Sequence, residues 1–171
     1  MPAPHIRPLR KEDAASFKAL QIEGSKNMPS AFDEYPDEIA AESLRIYEGR
    51  LADHGAGDFV MGAFNGPTLV GTVGFYRSAY RKMLHKGTIW GMYVTPSERR
   101  KKVGQSLMLA AIEKARATPG VIHLCLCVNV TNLGAQALYK SVGFEVYGQE
   151  PAIIKVDDVY LDEVLMQLKL K

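Results

Sequence analysis

Ile89-Trp90-Gly91-Met92-Tyr93-Val94, then Thr95-Pro96-Ser97-Glu98-Arg99-Arg100-Lys101-Lys102, then Val103-Gly104-Gln105-Ser106-Leu107-Met108-Leu109-Ala110-Ala111-Ile112 is the stretch on which the fold turns. The first run is apolar and reads as a buried strand. The second is a turn rich in cations, and the third an amphipathic helix entered through Gly104. The first turn of a helix leaves backbone N–H groups unpaired and carries partial positive charge, so it suits an anion. Four consecutive cations, Arg99, Arg100, Lys101 and Lys102, stand just before and at that start. The pattern predicts a diphosphate-bearing ligand. No Gly-x-x-x-x-Gly-Lys-Ser/Thr occurs, so a nucleotide hydrolase gains no support.

Outward from this stretch, the chain alternates between two periodicities. Residues 5–9 read as a short strand and 11–23 as a helix stopped by Gly24, with 27–35 a loop. Pro36 opens a second helix, carrying Ile39, Leu44, Tyr47 and Leu51 inward and ending near Gly55. Strands follow at 58–64 and 68–81, joined by Asn65-Gly66-Pro67, a hairpin signal. Residues 85–95 form the central strand, and the helix at 102–117 stops at Pro119-Gly120. A second buried strand lies at 121–130 and a helix at 132–142, stopped by Gly143; strands at 144–155 and 159–171 close the chain around a turn at 156–158. The order β-α-α-β-β-β-α-β-α-β-β predicts a mixed α/β sheet covered by helices, and 171 residues are expected to form one domain, 1–171.

Composition excludes several classes. Apolar residues make up 47% and charged residues 23%, a globular balance. No run of about 18 apolar residues exists and the first residues lack a signal-peptide pattern, so a cytoplasmic protein with no membrane segment is expected. Cys125 and Cys127 are two apart in a strand and read as buried, reduced thiols, and no metal site is expected. The net charge of +2 is unevenly spread. Residues 77–102 hold eight Lys/Arg against Glu98, whereas 33–42 holds five acids and no cation, and 145–163 six acids against Lys155. One region suits an anionic ligand while others face a cationic one.

These residues resemble the GCN5-related N-acetyltransferase (GNAT) family. The family's acyl-CoA loop, Gln/Arg-x-x-Gly-x-Gly/Ala after a central strand, is matched by Arg99-Arg100-Lys101-Lys102-Val103-Gly104 after Met92-Tyr93-Val94. A second signature is matched by Asn132, Ala135, Leu138-Tyr139 and Gly143-Phe144. The first loop glycine of the family is Lys102 here, and a lysine in ordinary helical conformation is expected there. The resemblance implies a central, mostly antiparallel sheet of about seven strands with about four helices, splayed between its parallel strands. It also implies acetyl-CoA as acyl donor, no metal, and a primary amine as acceptor: a cationic small molecule, an amino acid or a peptide amine. A homodimer through the apolar closing strands is one assembly it allows.

The resemblance assigns roles in turn. Backbone N–H groups from Arg100 through Lys101, Lys102, Val103, Gly104 and Gln105 to Ser106 are expected to cradle the CoA pyrophosphate. The main chain of Met92 and Val94 would pair with the pantetheine arm, and an N–H near Met92 or Tyr93 would polarise the thioester carbonyl. Asn132 would bond the pantetheine, or serve simply as a helix N-cap. Tyr139 would protonate the leaving thiolate. Many family members carry a Glu on the central strand, and this strand has none. Glu34 is the first candidate for the base, with Glu38, His85 and the Tyr160/Asp162/Glu163 group beside it. Trp90 reads as core or as a wall of the acceptor pocket. Ser106 and Ser141 have no His and acid at a readable spacing, so a serine hydrolase is not supported. Two other readings stay open. A silent CoA-binding regulator would lack a base, and a nucleic-acid module led by the basic run would need a reader motif that is absent.

Overall fold

Near-continuous burial along the strands at 59–65 and 68–77 marks one sheet with a core on each face. A computed structural model describes residues 4–52 and 57–170 of the chain. Its strands are β1 (His5–Pro8), β2 (Phe59–Asn65), β3 (Thr68–Arg77), β4 (Lys86–Val94), β5 (His123–Asn129), β6 (Glu145–Val156) and β7 (Val159–Lys169). The α-helices are α1 (Ala14–Asn27), α2 (Pro36–Ala41), α3 (Leu44–Arg50), α4 (Val103–Ala117) and α5 (Leu133–Ser141). The sheet runs β1-β2-β3-β4-β5-β7-β6, antiparallel throughout except for β4 beside β5. This is the expected mixed, mostly antiparallel architecture.

The two faces follow from sequence period. Along β2, Phe59, Met61 and Ala63 enter the core under α4, whereas Val60 and Phe64 enter the core under α1. Helix α4 presents Val103, Leu107, Met108, Ala111, Ile112 and Ala115, a stripe along one side, to the first core. In β5, Leu124, Leu126 and Val128 face the same way. Their alternates Cys125, Cys127 and Asn129 face the opposite side, which α4 and α5 do not cover. Both cysteines are free, Cys125 half-buried and Cys127 exposed, so the expected burial does not hold for them.

Three boundaries differ from the sequence reading, each for a local reason. The expected helix from Pro36 is two helices, because Lys18 Nζ donates to the carbonyls of Ala40 and Glu42 and so caps the end of α2. Glu42 and Ser43 are extended, α3 starts on a new axis, and Leu44 is 42% exposed instead of inward. The expected end near Gly55 lies outside the described residues. Strand β3 stops at Arg77, whose N–H donates to Asp58 Oδ1 and whose guanidinium donates to the Pro119 carbonyl, both at 2.9 Å. Finally, Lys102 precedes α4 with φ 63°, in the left-handed region, and not as its first helical residue.

Candidate active site

The parallel pair β4–β5 is joined only over Lys86–Thr88 against His123–Cys125. Beyond Thr88 the two strands separate. The cause is a bulge: Thr72 pairs with Tyr93 and Gly74 with Trp90, so Gly91 and Met92 on β4 oppose Val73 alone on β3. Gly91 takes φ 59°, a conformation that suits glycine. Its carbonyl accepts from Thr72 Oγ1 at 3.2 Å, and buried Gln21 donates to the same hydroxyl at 3.4 Å. A trans peptide points its N–H opposite to its C=O. The Met92 N–H is therefore turned away from β3, toward the gap. The sequence offered Met92 or Tyr93 for such a donor and held no sign of the Gln21–Thr72 bracket beside Gly91.

A cleft of about 680 Å³ occupies the gap, walled by β4, β5 and the starts of α4 and α5. At one end lies the α4 start. The first helical bond runs from Ser106 N–H to the Lys102 carbonyl at 3.0 Å, which leaves the amides of Val103, Gly104 and Gln105 ahead of the ladder. All three residues line the cleft. Ser106 does not line it, its amide is in the helix, and its side chain is exposed, so Ser106 falls outside the expected cradle. Arg99, Arg100 and Lys102 line the cleft, while Lys101 turns away to pair with Glu98 at 3.2 Å. Arg100 and Lys102, at φ 61° and 63°, alternate with residues of ordinary conformation, a backbone pattern that turns successive amides to one side and suits an anion.

A non-glycine residue in this region costs about 1 kcal/mol. Lys102→Gly is therefore expected to raise the melting temperature by about 1–2 °C in thermal unfolding, since relief of strain exceeds the added chain entropy of glycine. An unchanged or lower melting temperature would show that Lys102 is not strained.

Met92, Tyr93 and Val94 all border the cleft. The Val94 carbonyl already accepts from Arg99 Nε at 2.9 Å, which leaves it one lone pair. The Tyr93 side chain points to the other face, accepting from Asn27 and donating to Glu23 Oε1 at 2.9 Å, with Phe32 edge-on at 6.1 Å. At the second wall, Asn132 caps α5, its Oδ1 accepting from Ala135 N–H at 3.1 Å. Tyr139, 7% exposed, projects from α5 to line the cleft, and burial pushes its hydroxyl up to about 12.

The cleft is also lined by Met28 and Ala31 of the α1–α2 loop, Trp90, and Cys127 and Glu163 from β5 and β7. Trp90 is half-buried and stands edge-on to Phe17 at 6.3 Å, both core contact and wall. Of the carboxylates considered as base, Glu163 lines the cleft. Glu34 is exposed and outside the lining, although its carboxyl is raised by burial and by Glu42. Glu38 Oε2 accepts from the Tyr35 N–H at 2.7 Å as a cap of α2. Asp162 accepts from Gln149 at 2.8 Å and from Ala152 N–H at 2.9 Å, so it fixes the irregularity in β6. His85 is exposed, and Tyr160 is exposed under Lys155. The sequence held no signal for Asn129, which lines the cleft beside Cys127.

A splayed sheet with an anion-receptive helix start at its gap is an acyltransferase architecture. Residues 24–144 match the acetyltransferase (GNAT) family model, and the chain belongs to that family. Over 86 residues it is 34% identical to an L-methionine sulfoximine/L-methionine sulfone acetyltransferase of Pseudomonas aeruginosa. That segment is 50% of this chain and 49% of the other protein, so the chain spans about half the length of the curated relatives it matches. Among solved structures, a GNAT acetyltransferase from Streptococcus pneumoniae superposes with TM-score 0.86 at 20% identity, over 98% of this chain and 99% of that one. A phosphinothricin acetyltransferase from Sinorhizobium meliloti, in complex with acetyl-CoA, gives 0.83 at 21% identity, over 99% and 89%. These two likenesses concern the fold. No described helix is long and apolar enough to cross a membrane.

Proposed function

We propose that the chain is an acetyl-CoA-dependent N-acetyltransferase acting on a primary amine by direct attack in a ternary complex, with residues 1–171 as one catalytic domain. The observation that carries this is the continuity of one cleft. It joins the amide-rich start of α4 to a backbone N–H aimed into the sheet gap and to a buried tyrosine hydroxyl. The residues fit the donor. Gly104 borders the helix start so closely that a Cβ there would stand 3.0 Å from Met92 Cε and 3.2 Å from Leu138 Cδ2. The free amides of Val103, Gly104 and Gln105, with Arg100 and Lys102, would hold its diphosphate.

When bound, acetyl-CoA supplies the activated acetyl group. The Met92 N–H, held by the Gly91–Thr72 bond, is a preorganised donor for the oxygen on which charge develops. Tyr139 donates its hydroxyl hydrogen toward the departing sulfur. The acceptor must lose a proton, because a lysine-like amine is neutral in only about one molecule in a few thousand at pH 7, whereas an α-amine is about one-tenth neutral. The acetyltransferases of amino-acid analogues among the curated relatives support a small-molecule amine.

Thiol release from acetyl-CoA against amino acids including L-methionine sulfone, polyamines, aminoglycosides and short peptides tests the proposal. Release with one amine class is the expected result. Acetyl-CoA binding without release from any amine overturns it in favour of a silent CoA-binding regulator.

A further inference from the structure

Four elements bring polar groups together around Glu163, which lines the cleft. Glu163 of β7 stands across the ladder from Asn129 of β5 on one side and from Glu150 of β6 on the other. Asp33 of the α1–α2 loop and Cys127 of β5 also act on it. No lysine, arginine or histidine figures among these influences. The carboxylates alone would be an ordinary acidic surface, but Asn129 adds a separate observation. It is 2% exposed, and its Oδ1 is committed to the Thr131 N–H at 2.9 Å and the Thr131 hydroxyl at 2.6 Å. Its Nδ2 is buried without a hydrogen-bond partner among the described residues, in a residue that lines the cleft. A buried donor left unpaired costs its desolvation, so such a group signals a missing acceptor. One ligand carrying a cationic nitrogen beside an acyl oxygen satisfies both groups.

Resting on the N-acetyltransferase reading above, we propose that Glu163 anchors the acceptor as its ammonium form and takes its proton, while Asn129 Nδ2 holds a ligand oxygen beside it. The steps balance. One N–H proton passes to the Glu163 carboxylate and later to solvent. The freed lone pair forms the C–N bond to the acetyl carbon. The C–S bond breaks with its electron pair on sulfur, and the second proton of the nitrogen reaches sulfur by way of the Tyr139 hydroxyl.

Electrostatics suit that task. Burial, then Asp33 and Glu150, raise the Glu163 carboxyl above its ordinary range, and the Cys127 thiol, by hydrogen bonding, opposes them. A base brought nearer to neutrality accepts a proton more effectively at pH 7. The neighbouring thiol is no rival, because burial and then Glu163, Glu150, Cys125 and Asp33 push Cys127 up to about 11. It stays protonated where the enzyme works.

The test uses the full chain with Glu163→Gln and Glu163→Asp, acetyl-CoA as donor, and two acceptors. One is the fastest amine of the panel and the other is hydroxylamine, which is mostly uncharged near neutral pH. Acetyl-CoA affinity by calorimetry reports that each variant is folded. For Glu163→Gln the expected result is a fall of about 100-fold in kcat/KM with the ammonium acceptor and less than about threefold with hydroxylamine. The wild-type fall in activity as pH drops through the Glu163 pKa should vanish, and Glu163→Asp should recover part of the rate. Equal losses with both acceptors, or an unchanged pH profile, overturn the proposal while the enzymatic reading stands. A wild type that binds acetyl-CoA but releases thiol with no acceptor overturns both.

Discussion

Gly104→Glu is expected to lower acetyl-CoA affinity by more than about 100-fold while leaving the protein folded. A Cβ at residue 104 would meet Met92 Cε at 3.0 Å and Leu138 Cδ2 at 3.2 Å, with Val94 Cγ2 at 3.8 Å behind. Both close neighbours are the ends of flexible side chains, so the fold can yield by a few tenths of an ångström. What does not yield is charge. A carboxylate about 5 Å from one phosphate charge, in an effective dielectric of about 20, costs about 3 kcal/mol, which is already more than 100-fold. For folding the sign is opposite, since an acid in the first turn of α4 is favoured by the helix dipole by about 0.3–1 kcal/mol. Calorimetry would show weak or no binding beside a melting temperature close to that of wild type. Gly104→Ala, which adds volume without charge, should lose only about tenfold. Affinity of Gly104→Glu within threefold of wild type would remove the α4 start from the donor site.

The contrast between Gly104 and Asn129 shows what the sequence could reveal. Gly104 is legible because strand, turn and helix are consecutive, and their periods change from two to 3.6 within twenty residues. The order of the elements was readable for the same reason. Lys102 was legible as a departure from the family pattern, but its left-handed backbone was not, because the residue type favours an ordinary helical start. Asn129 and Glu163 are 34 residues apart and meet only through the register of β5 with β7. No local pattern encodes that register. The Gln21–Thr72–Gly91 bracket is likewise assembled from three elements, and only the bulge at Gly91 makes it meaningful. The break after α2 was hidden because Lys18, on a different helix, supplies the cap. Glu34 had the right chemistry in an acidic segment. Its side chain nevertheless stands outside the cleft, where Met28 and Ala31 take the lining positions of that loop.

Tyr139→Phe is expected to reduce kcat about 100-fold, with acetyl-CoA affinity within about threefold of wild type. The ring packs against Phe144 at 6.3 Å, and phenylalanine retains that contact, so the variant should fold normally. Only the hydroxyl is lost. Burial pushes that hydroxyl up to about 12, well above an ordinary thiol near 8.5. Complete proton transfer from Tyr139 to a free thiolate is therefore uphill. In the proposed reaction the hydroxyl instead donates a strong hydrogen bond to sulfur as charge develops, and the proton moves fully once the acceptor nitrogen supplies its replacement. A hydrogen bond to a charged group is worth about 1.5–3 kcal/mol, corresponding to about 10–150-fold, and it is felt only as the C–S bond breaks. That is why kcat falls while binding holds. The pH dependence separates this role from that of Glu163. A hydroxyl raised to about 12 remains protonated from pH 6 to 10, so Tyr139 contributes no change across that window, and its contribution is lost only as pH rises through about 12. An acid limb due to Glu163 should thus persist in Tyr139→Phe at a uniformly reduced rate. A kcat unchanged by the substitution, or a wild-type alkaline limb below about pH 10 that the substitution abolishes, would leave Tyr139 a core residue of α5 with no part in the departure of sulfur.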